Sequence, residues 1–284
     1  MNNRAITTKG KVNFVKIYEV DKKAPNIIFI MTPIGSVSDE YVSGIFKGLI
    51  NKECNVFAID FLGIGKSEGS ARDINLKNME NSIISLIEFI ESEYSNNIHF
   101  YGGTGAGGII GQYLVSLDSI GNRIQSFIQF GVYIKNDSTV LGKTSTLRAL
   151  HKVLGIVNIF APGSRVKFTV PEYEGLNSEK EAEWYKSIQE INPVAFDFKV
   201  ALFKSLLDIF FSKKKNSSIE LPKFVIAPKY DRYYYREYIN RYYNSINGKK
   251  ELYWHEGSHI SFDWDAEIIN TKVLNWVRQI SRNM

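Results

Sequence analysis

A single cysteine, Cys54, in 284 residues leaves no intramolecular disulfide and no thiolate-rich metal site, and it fits a reducing compartment. No apolar run approaches the roughly 20 residues that a helix needs to span a bilayer. The N-terminal Met1-Asn2-Asn3-Arg4 leads into polar residues rather than an apolar segment, so a cytoplasmic protein without stable membrane insertion is expected. No RNP, zinc-finger or helix-turn-helix signature occurs, and nucleic acid is not expected as a partner. The chain carries no internal repeat and no low-complexity segment. Charge of one sign is also scarce: 35 Lys+Arg against 30 Asp+Glu gives +5, spread along the chain. The one dense run, Lys213-Lys214-Lys215, reads as a solvated loop, with a docking patch for an acidic partner as the less favoured alternative.

What is present is a core. With 44% hydrophobic and 23% charged residues the composition excludes disorder and a collagen-like repeat, and a mean hydropathy of −0.17 excludes an integral membrane protein. Contiguous apolar runs such as Ile27-Ile28-Phe29-Ile30 predict strands covered on both faces. Strands are predicted over 11–20, 26–31, 55–59, 98–101 and 126–133, with helices over 39–52, 76–94 and 106–116 between them. In the helix over 76–94, Met79, Ile83, Leu86, Ile87 and Ile90 form one stripe. Repeated strand–helix–strand order implies an α/β fold with a mainly parallel central sheet and helices on both faces. The alternation breaks over 134–221, where helices are predicted around 146–159, 178–190 and 200–211. It resumes with strands over 223–227 and 251–254 and helices over 236–245 and 265–282. We read residues 1–133 and 222–284 as one core and 134–221 as an inserted helical cap.

Ligands of open α/β sheets collect at the carboxyl ends of the strands, which directs attention to the turns that follow them. The turn Gly102-Gly103-Thr104-Gly105-Ala106-Gly107-Gly108 could cradle a phosphate at a helix N-terminus. It lacks the Lys-Ser/Thr of a P-loop and an acidic ribose partner at the expected distance. Small residues around a hydroxyl equally suit a nucleophile elbow, the sharp strand-to-helix turn that lifts a side chain over the sheet. Asp231 follows one later strand and Gly257-Ser258-His259 the next, giving the order hydroxyl, acid, imidazole.

With that order the chain resembles the α/β-hydrolase family over nearly its whole length. Residues 60–69 resemble the loop after the family's fourth strand, 227–231 its acid turn and Gly257-Ser258-His259 its histidine loop. Within it, Asn97-Ile98 leading into the elbow and Leu252-Tyr253 ahead of the histidine loop resemble the thioesterase-like acyl transferases of bacterial bioluminescence. The resemblance implies an esterase, thioesterase or acyltransferase acting on an acyl ester or thioester, a carrier-protein- or coenzyme A-linked one included, with no metal or organic cofactor.

The departure from the family is that its Gly-x-Ser-x-Gly has no serine here. Counted forward from the strand, Thr104 takes the nucleophile position and Ala106 that of the last glycine. Counted back from the helix, Gly105 takes it. The first register is preferred because strand length is harder to alter than the identity of small residues. Thr104 then attacks, more slowly than serine because its methyl restricts χ1 and crowds the approach. His259 is the general base, and Asp231 holds its tautomer. The oxyanion donors are the Gly105 N–H and one from the loop after the third strand, Ile34 or Thr32; Pro33 has no N–H. Taken alone, Thr104 is equally a helix N-cap. If Gly105 occupies the elbow, the expectation changes to a lyase, cyclase or ligand-binding protein without a covalent nucleophile. His99, His151 and His255 read as structural. The loop over 60–69 reads as architectural, the apolar cap residues as packing or as an acyl pocket, with a membrane-surface helix the least favoured reading, and Tyr233, Tyr234, Tyr235, Tyr238, Tyr242 and Tyr243 as packing or an interaction surface.

Overall fold

The computed structural model describes residues 2–30, 49, 53–103, 105–137, 139, 142–167, 197–211, 220–231, 234–257 and 266–282. The strands are β1 (Asn2–Thr8), β2 (Lys11–Tyr18), β3 (Asn26–Ile30), β4 (Asn55–Ile59), β5 (Ile98–Gly102), β6 (Ser126–Gln129), β7 (Arg165–Lys167), β8 (Asp197–Lys199), β9 (Lys223–Pro228) and β10 (Lys250–His255). The helices are α1 (Leu76–Glu93), α2 (Ala106–Val115), the short α3 (Asp118–Gly121), α4 (Thr144–Phe160), α5 (Val200–Phe211), α6 (Arg236–Ser245) and α7 (Ala266–Ser281). The helices predicted over 39–52 and 178–190 lie outside the described residues, apart from Leu49.

Eight strands form one sheet in the order β1-β2-β4-β3-β5-β6-β9-β10. From β4 to β10 every neighbouring pair is parallel; β2 joins β4, and β1 joins β2, antiparallel. The central strands alternate with period two between two cores, as side chains on a pleated strand must. Ile28, Phe57, Phe100, Phe127 and Val225 face one core, while Ile27, Val56, Tyr101, Ile128 and Phe224 face the other. The first core is covered by α1 through the predicted stripe Met79, Ile83, Leu86, Ile87 and Ile90, and by residues of α2 and α5. The second is covered by Ile269, Val273, Trp276, Val277 and Ile280 of α7.

The sequence reading differs from this structure in a few places. Residues 2–8 form an edge strand although they begin with polar side chains. The strand over 126–133 ends at Gln129: the Phe130 N–H to Gly102 carbonyl bond (3.2 Å) is the last rung of its ladder with β5, and Gly131 then lies against the backbone of Gly105 and Gly108. Between β6 and β9 the described residues form α4 and α5, packed on each other, and the antiparallel pair β7–β8. Lys199 of β8 donates to the Gly63 carbonyl at 2.8 Å, fastening this pair to the loop after β4.

That loop is built for shape. The Ser67 hydroxyl donates to the Asp60 carbonyl (2.6 Å) and accepts from the Phe14 N–H (2.8 Å), while the Lys66 N–H donates to the Asp60 carboxylate (3.0 Å). A Cβ on Gly63 would lie 2.2 Å from the Ser70 carbonyl oxygen, and its φ is +78°, so glycine is required there.

Candidate active site

The chain order around β3 fixes where a ligand would sit. From β3 the chain runs outward to β4, then crosses back over β3 to β5 and continues to β6. The next strands after β3 and after β5 therefore lie on opposite sides, and the carboxyl ends of these two strands are where such a sheet places its ligand. The glycine-rich turn from β5 into α2 stands at that point.

β5 ends at Gly102 and α2 begins at Ala106, with Gly105 as its N-cap. The Gly103 N–H donates to the Ile30 carbonyl of β3 at 2.8 Å, and the Gly105 carbonyl accepts from the Ile109 N–H at 3.2 Å. Gly105 has φ +55° and ψ −115°, the one positive φ among the described residues of the turn. L side chains avoid this conformation. Thr104 lies outside the described residues.

The glycines on either side allow backbone to touch backbone. A Cβ on Gly108 would lie 2.3 Å from both the nitrogen and the oxygen of Gly131, and one on Gly131 would lie 2.1 Å from the Gly105 carbonyl oxygen. Gly131, which sequence reasoning missed, is thus a structural member of the turn. Its signal is a glycine at a strand's carboxyl end, two residues beyond Gln129. Gly108→Ala is expected to cost about 3 kcal/mol, since neither backbone can give way. Gly155→Ala in α4, where a Cβ meets nothing within 4 Å, is expected to stabilise by about 0.5–1 kcal/mol. Urea unfolding of the two variants checks both signs.

Asp231 is buried just past β9, and its carboxylate accepts the Tyr234 N–H at 3.0 Å. Burial, reinforced by Tyr238 and by the Asp231 charge, drives the Tyr234 hydroxyl pKa well up. Two backbone bonds join the turn after β9 to the turn after β10: Lys229 N–H to the His255 carbonyl (3.0 Å) and Tyr230 N–H to the Gly257 carbonyl (3.1 Å). Lys229 and Glu256 add an ion pair across the same junction. Asp231 therefore stands one residue from a bond to Gly257, which precedes His259 by two positions. His259, Ser258, Thr32 and Ile34 lie outside the described residues.

The remaining histidines have structural partners. His99 is enclosed between β5, β6 and α7, with Nδ1 2.8 Å from the Ser126 hydroxyl and Nε2 3.3 Å from that of Ser281. His151 of α4 meets Asp208 of α5 at 2.7 Å. His255 ends β10 with its ring edge-on to Phe130 at 5.9 Å. Of the tyrosines, Tyr234, Tyr238 and Tyr242 are buried; the Tyr242 hydroxyl accepts from Gln129 at 2.6 Å, and Tyr238 accepts from the Ile134 N–H at 2.8 Å and donates to the Asp137 carbonyl at 3.0 Å. They pin α6 to the strand end of β6. Among the described residues no group of three His, Cys, Asp or Glu could hold a metal ion, and no helix is long and apolar enough to cross a membrane.

No family model and no curated protein matches the chain. Solved structures do. The α/β hydrolase GrgF from Penicillium sp. sh18 superposes with a TM-score of 0.73 at 17% identity, covering 98% of each chain. The monoacylglycerol lipase of Paleococcus ferrophilus gives 0.70 at 15% identity, covering 94% of this chain and 99% of its own. A thermophilic esterase from Thermogutta terrifontis gives 0.68 at 14%, covering 99% of both. The chain has the α/β-hydrolase fold. At these identities the likeness is one of architecture, on which many chemistries are built.

Proposed function

We propose that the protein is an enzyme of the α/β-hydrolase fold that acts on an acyl ester, thioester or related carbonyl compound through Asp231 and His259, with Gly105 standing where the family carries its nucleophile. One observation carries the register. The nucleophile of this fold sits on the strained residue of the strand-to-helix turn, and the strained residue here is Gly105, at φ +55° and ψ −115° with α2 beginning at the next residue. Gly103 and Gly107 then supply the flanking glycines of the motif.

In this reading the chemistry is acid–base. The Asp231 carboxylate orients the His259 imidazole and stabilises its protonated form. The imidazole takes a proton from water or from the substrate and returns it to the leaving group. The first N–H groups of α2 have no partner within the helix and point at a developing oxyanion, with the loop carrying Ile34 as the second source of a donor. Residues 134–221 act as a cap whose inward-facing apolar residues, Leu147, Leu150 and Leu154 of α4 and those of α5 among them, border the space that receives the acyl part. A carrier-protein- or coenzyme A-linked substrate and a cytoplasmic setting remain parts of this reading.

A second reading makes Thr104 the nucleophile and the Gly105 N–H an oxyanion donor. It is favoured by Thr104 being the sole hydroxyl residue between Gly102 and Gly108. Substitution separates the two. With p-nitrophenyl acyl esters, His259→Ala is expected to lose at least about a hundredfold in turnover, whereas Thr104→Ala stays within about twofold. An acyl adduct on Thr104 in acid-quenched wild-type protein, lost in Thr104→Ala, would overturn the first reading in favour of the second. Unchanged turnover in a folded His259→Ala variant would overturn both.

A further inference from the structure

Helix α4 presents an apolar face to solvent. Leu147 and Leu154 turn inward to the core, with Leu150 and Val157 partly buried beside them. The opposite side carries Val153 (55% exposed), Ile156 (63%), Ile159 (67%) and Phe160 (80%). These four are half of the eight large hydrophobic residues exposed among the described residues, and they fall within eight positions of one helix. Packing of α4 on α5 does not account for them, because that contact uses the inward side. Ala149, Val153, Ile156 and Phe160 recur at spacings of four, three and four, which is one stripe of an α-helix.

Along α4 and the residues flanking it in sequence the charge has one sign, the Asp208 carboxylate of α5 being held by His151 and Lys204. Residues 138–171 contain Lys143, Arg148, Lys152, Arg165 and Lys167 and no aspartate or glutamate. That is five positive charges, equal to the formal net charge of the whole chain, +5. Lys143, Arg148, Lys152 and Arg165 are exposed. Lys152 lies beside Val153 and one turn before Ile156 on the exposed side, where a long aliphatic stem can lie along an apolar surface while its ammonium stays at the polar boundary.

From this combination we infer that the α4 face docks on an anionic lipid surface, with Val153, Ile156, Ile159 and Phe160 entering the headgroup boundary and the flanking cations meeting lipid phosphate and carboxylate. An apolar helix face rimmed by Lys and Arg is the chemistry that binds in the plane of such an interface. Pairing of this face with a second copy would gather the cations of both copies at one interface with no carboxylate from residues 138–171 to meet them, which opposes association. An anionic leaflet makes the same cations favourable, each strengthening binding about fivefold. The inference does not depend on the residue at the elbow or on the reaction.

The test is co-sedimentation of the full chain with sucrose-loaded vesicles, either phosphatidylcholine alone or phosphatidylcholine with about a quarter phosphatidylserine. The expected result is a partition coefficient at least about tenfold higher on the anionic vesicles, falling as NaCl rises from about 0.1 to about 0.5 M. Ile156→Asp combined with Phe160→Asp is expected to lower binding at least about tenfold without a change in thermal midpoint, since both side chains are exposed. Lys143→Glu with Lys152→Glu should remove the preference for the anionic vesicles. Absence of sedimentation with either vesicle overturns the inference, as does binding that the apolar substitutions leave unchanged. A dimer in sedimentation equilibrium that Ile156→Asp dissolves would overturn it in favour of a second copy as occupant.

Discussion

Gly105→Ser is expected to create covalent reactivity that the wild-type protein lacks. With a fluorophosphonate probe the variant should label at position 105 at least about a hundredfold faster than wild type, because the turn already holds the conformation in which this fold presents its nucleophile. The backbone at φ +55° and ψ −115° is in place, so the substitution adds a hydroxymethyl group to a turn already bent to carry it. The cost falls on stability. Moving a non-glycine residue into this region is worth about 1–3 kcal/mol of strain, and the thermal midpoint should fall by roughly 2–4 °C for each kcal/mol. Labelling should require the histidine, so Gly105→Ser combined with His259→Ala should return to background. A folded Gly105→Ser variant that takes no label, or wild-type protein that labels at Thr104, would mean that Gly105 does not stand at the nucleophile position. The same variant separates the chemistry from the backbone: if the natural reaction is non-covalent acid–base chemistry, a new serine hydroxyl in the path of the substrate should take the acyl group as a covalent serine ester and reduce the native turnover.

The sheet was legible because burial on both faces writes itself as contiguous apolar residues. Asn26–Ile30 and Asn55–Ile59 are buried at every position, and both were found within a residue or so of their observed ends. The strands that escaped notice lack that signature. β1 is an edge strand whose first residues are Asn2, Asn3 and Arg4, and β7 and β8 are three residues each. The location of the turn was also legible, since a run of small residues between an apolar strand and an apolar helix has few other uses. Its register was not. Gly103, Gly105 and Gly107 are chemically identical in sequence, and which of them takes the positive φ is decided by where β5 stops and where α2 starts. Counting from a strand that ends at Tyr101 gives Thr104, and counting from one that ends at Gly102, which the ladder with β6 pairs with Gln129, gives Gly105. The contact of Gly131 with Gly105 and Gly108 joins residues more than 20 positions apart, and no local pattern announces it.

Acidification offers the second large effect, and it arises from His99, a residue that local sequence marks only as a polar interruption in a strand. Its protonation state follows from counting hydrogens. The Ser281 hydroxyl donates to the Val277 carbonyl at 2.8 Å and accepts from Asn97 at 2.8 Å, so its proton is committed. His99 Nε2, 3.3 Å away, must therefore carry the hydrogen and donate. The Ser126 hydroxyl accepts from the Trp276 indole at 3.0 Å and donates to His99 Nδ1 at 2.8 Å. Protonating Nδ1 would place two donors against Ser126 and leave its own hydrogen without that acceptor. Burial adds to this by penalising the cation, and the His99 pKa is pushed down from 6.5 to about 4. Because the folded pKa lies below the unfolded one, the unfolded chain binds the extra proton between those values. The stabilisation from neutral His99 is complete above about pH 6.5 and is lost as pH falls toward 4. At 1.36 kcal/mol per unit this comes to about 3 kcal/mol, a large fraction of the stability of an ordinary domain. Carboxylates titrate in the same range, so the quantity to measure is a difference. Urea unfolding of wild type and His99→Gln between about pH 4 and pH 7.5 should give a stability gap that narrows by about 3 kcal/mol on acidification, because glutamine takes up no proton. A gap that stays constant would mean that His99 titrates alike in the folded and unfolded chains. Since His99, Ser126, Trp276 and Ser281 together clamp α7 against β5 and β6, protonation would loosen the face of the sheet opposite α1 and α5, and backbone exchange should rise first in α7.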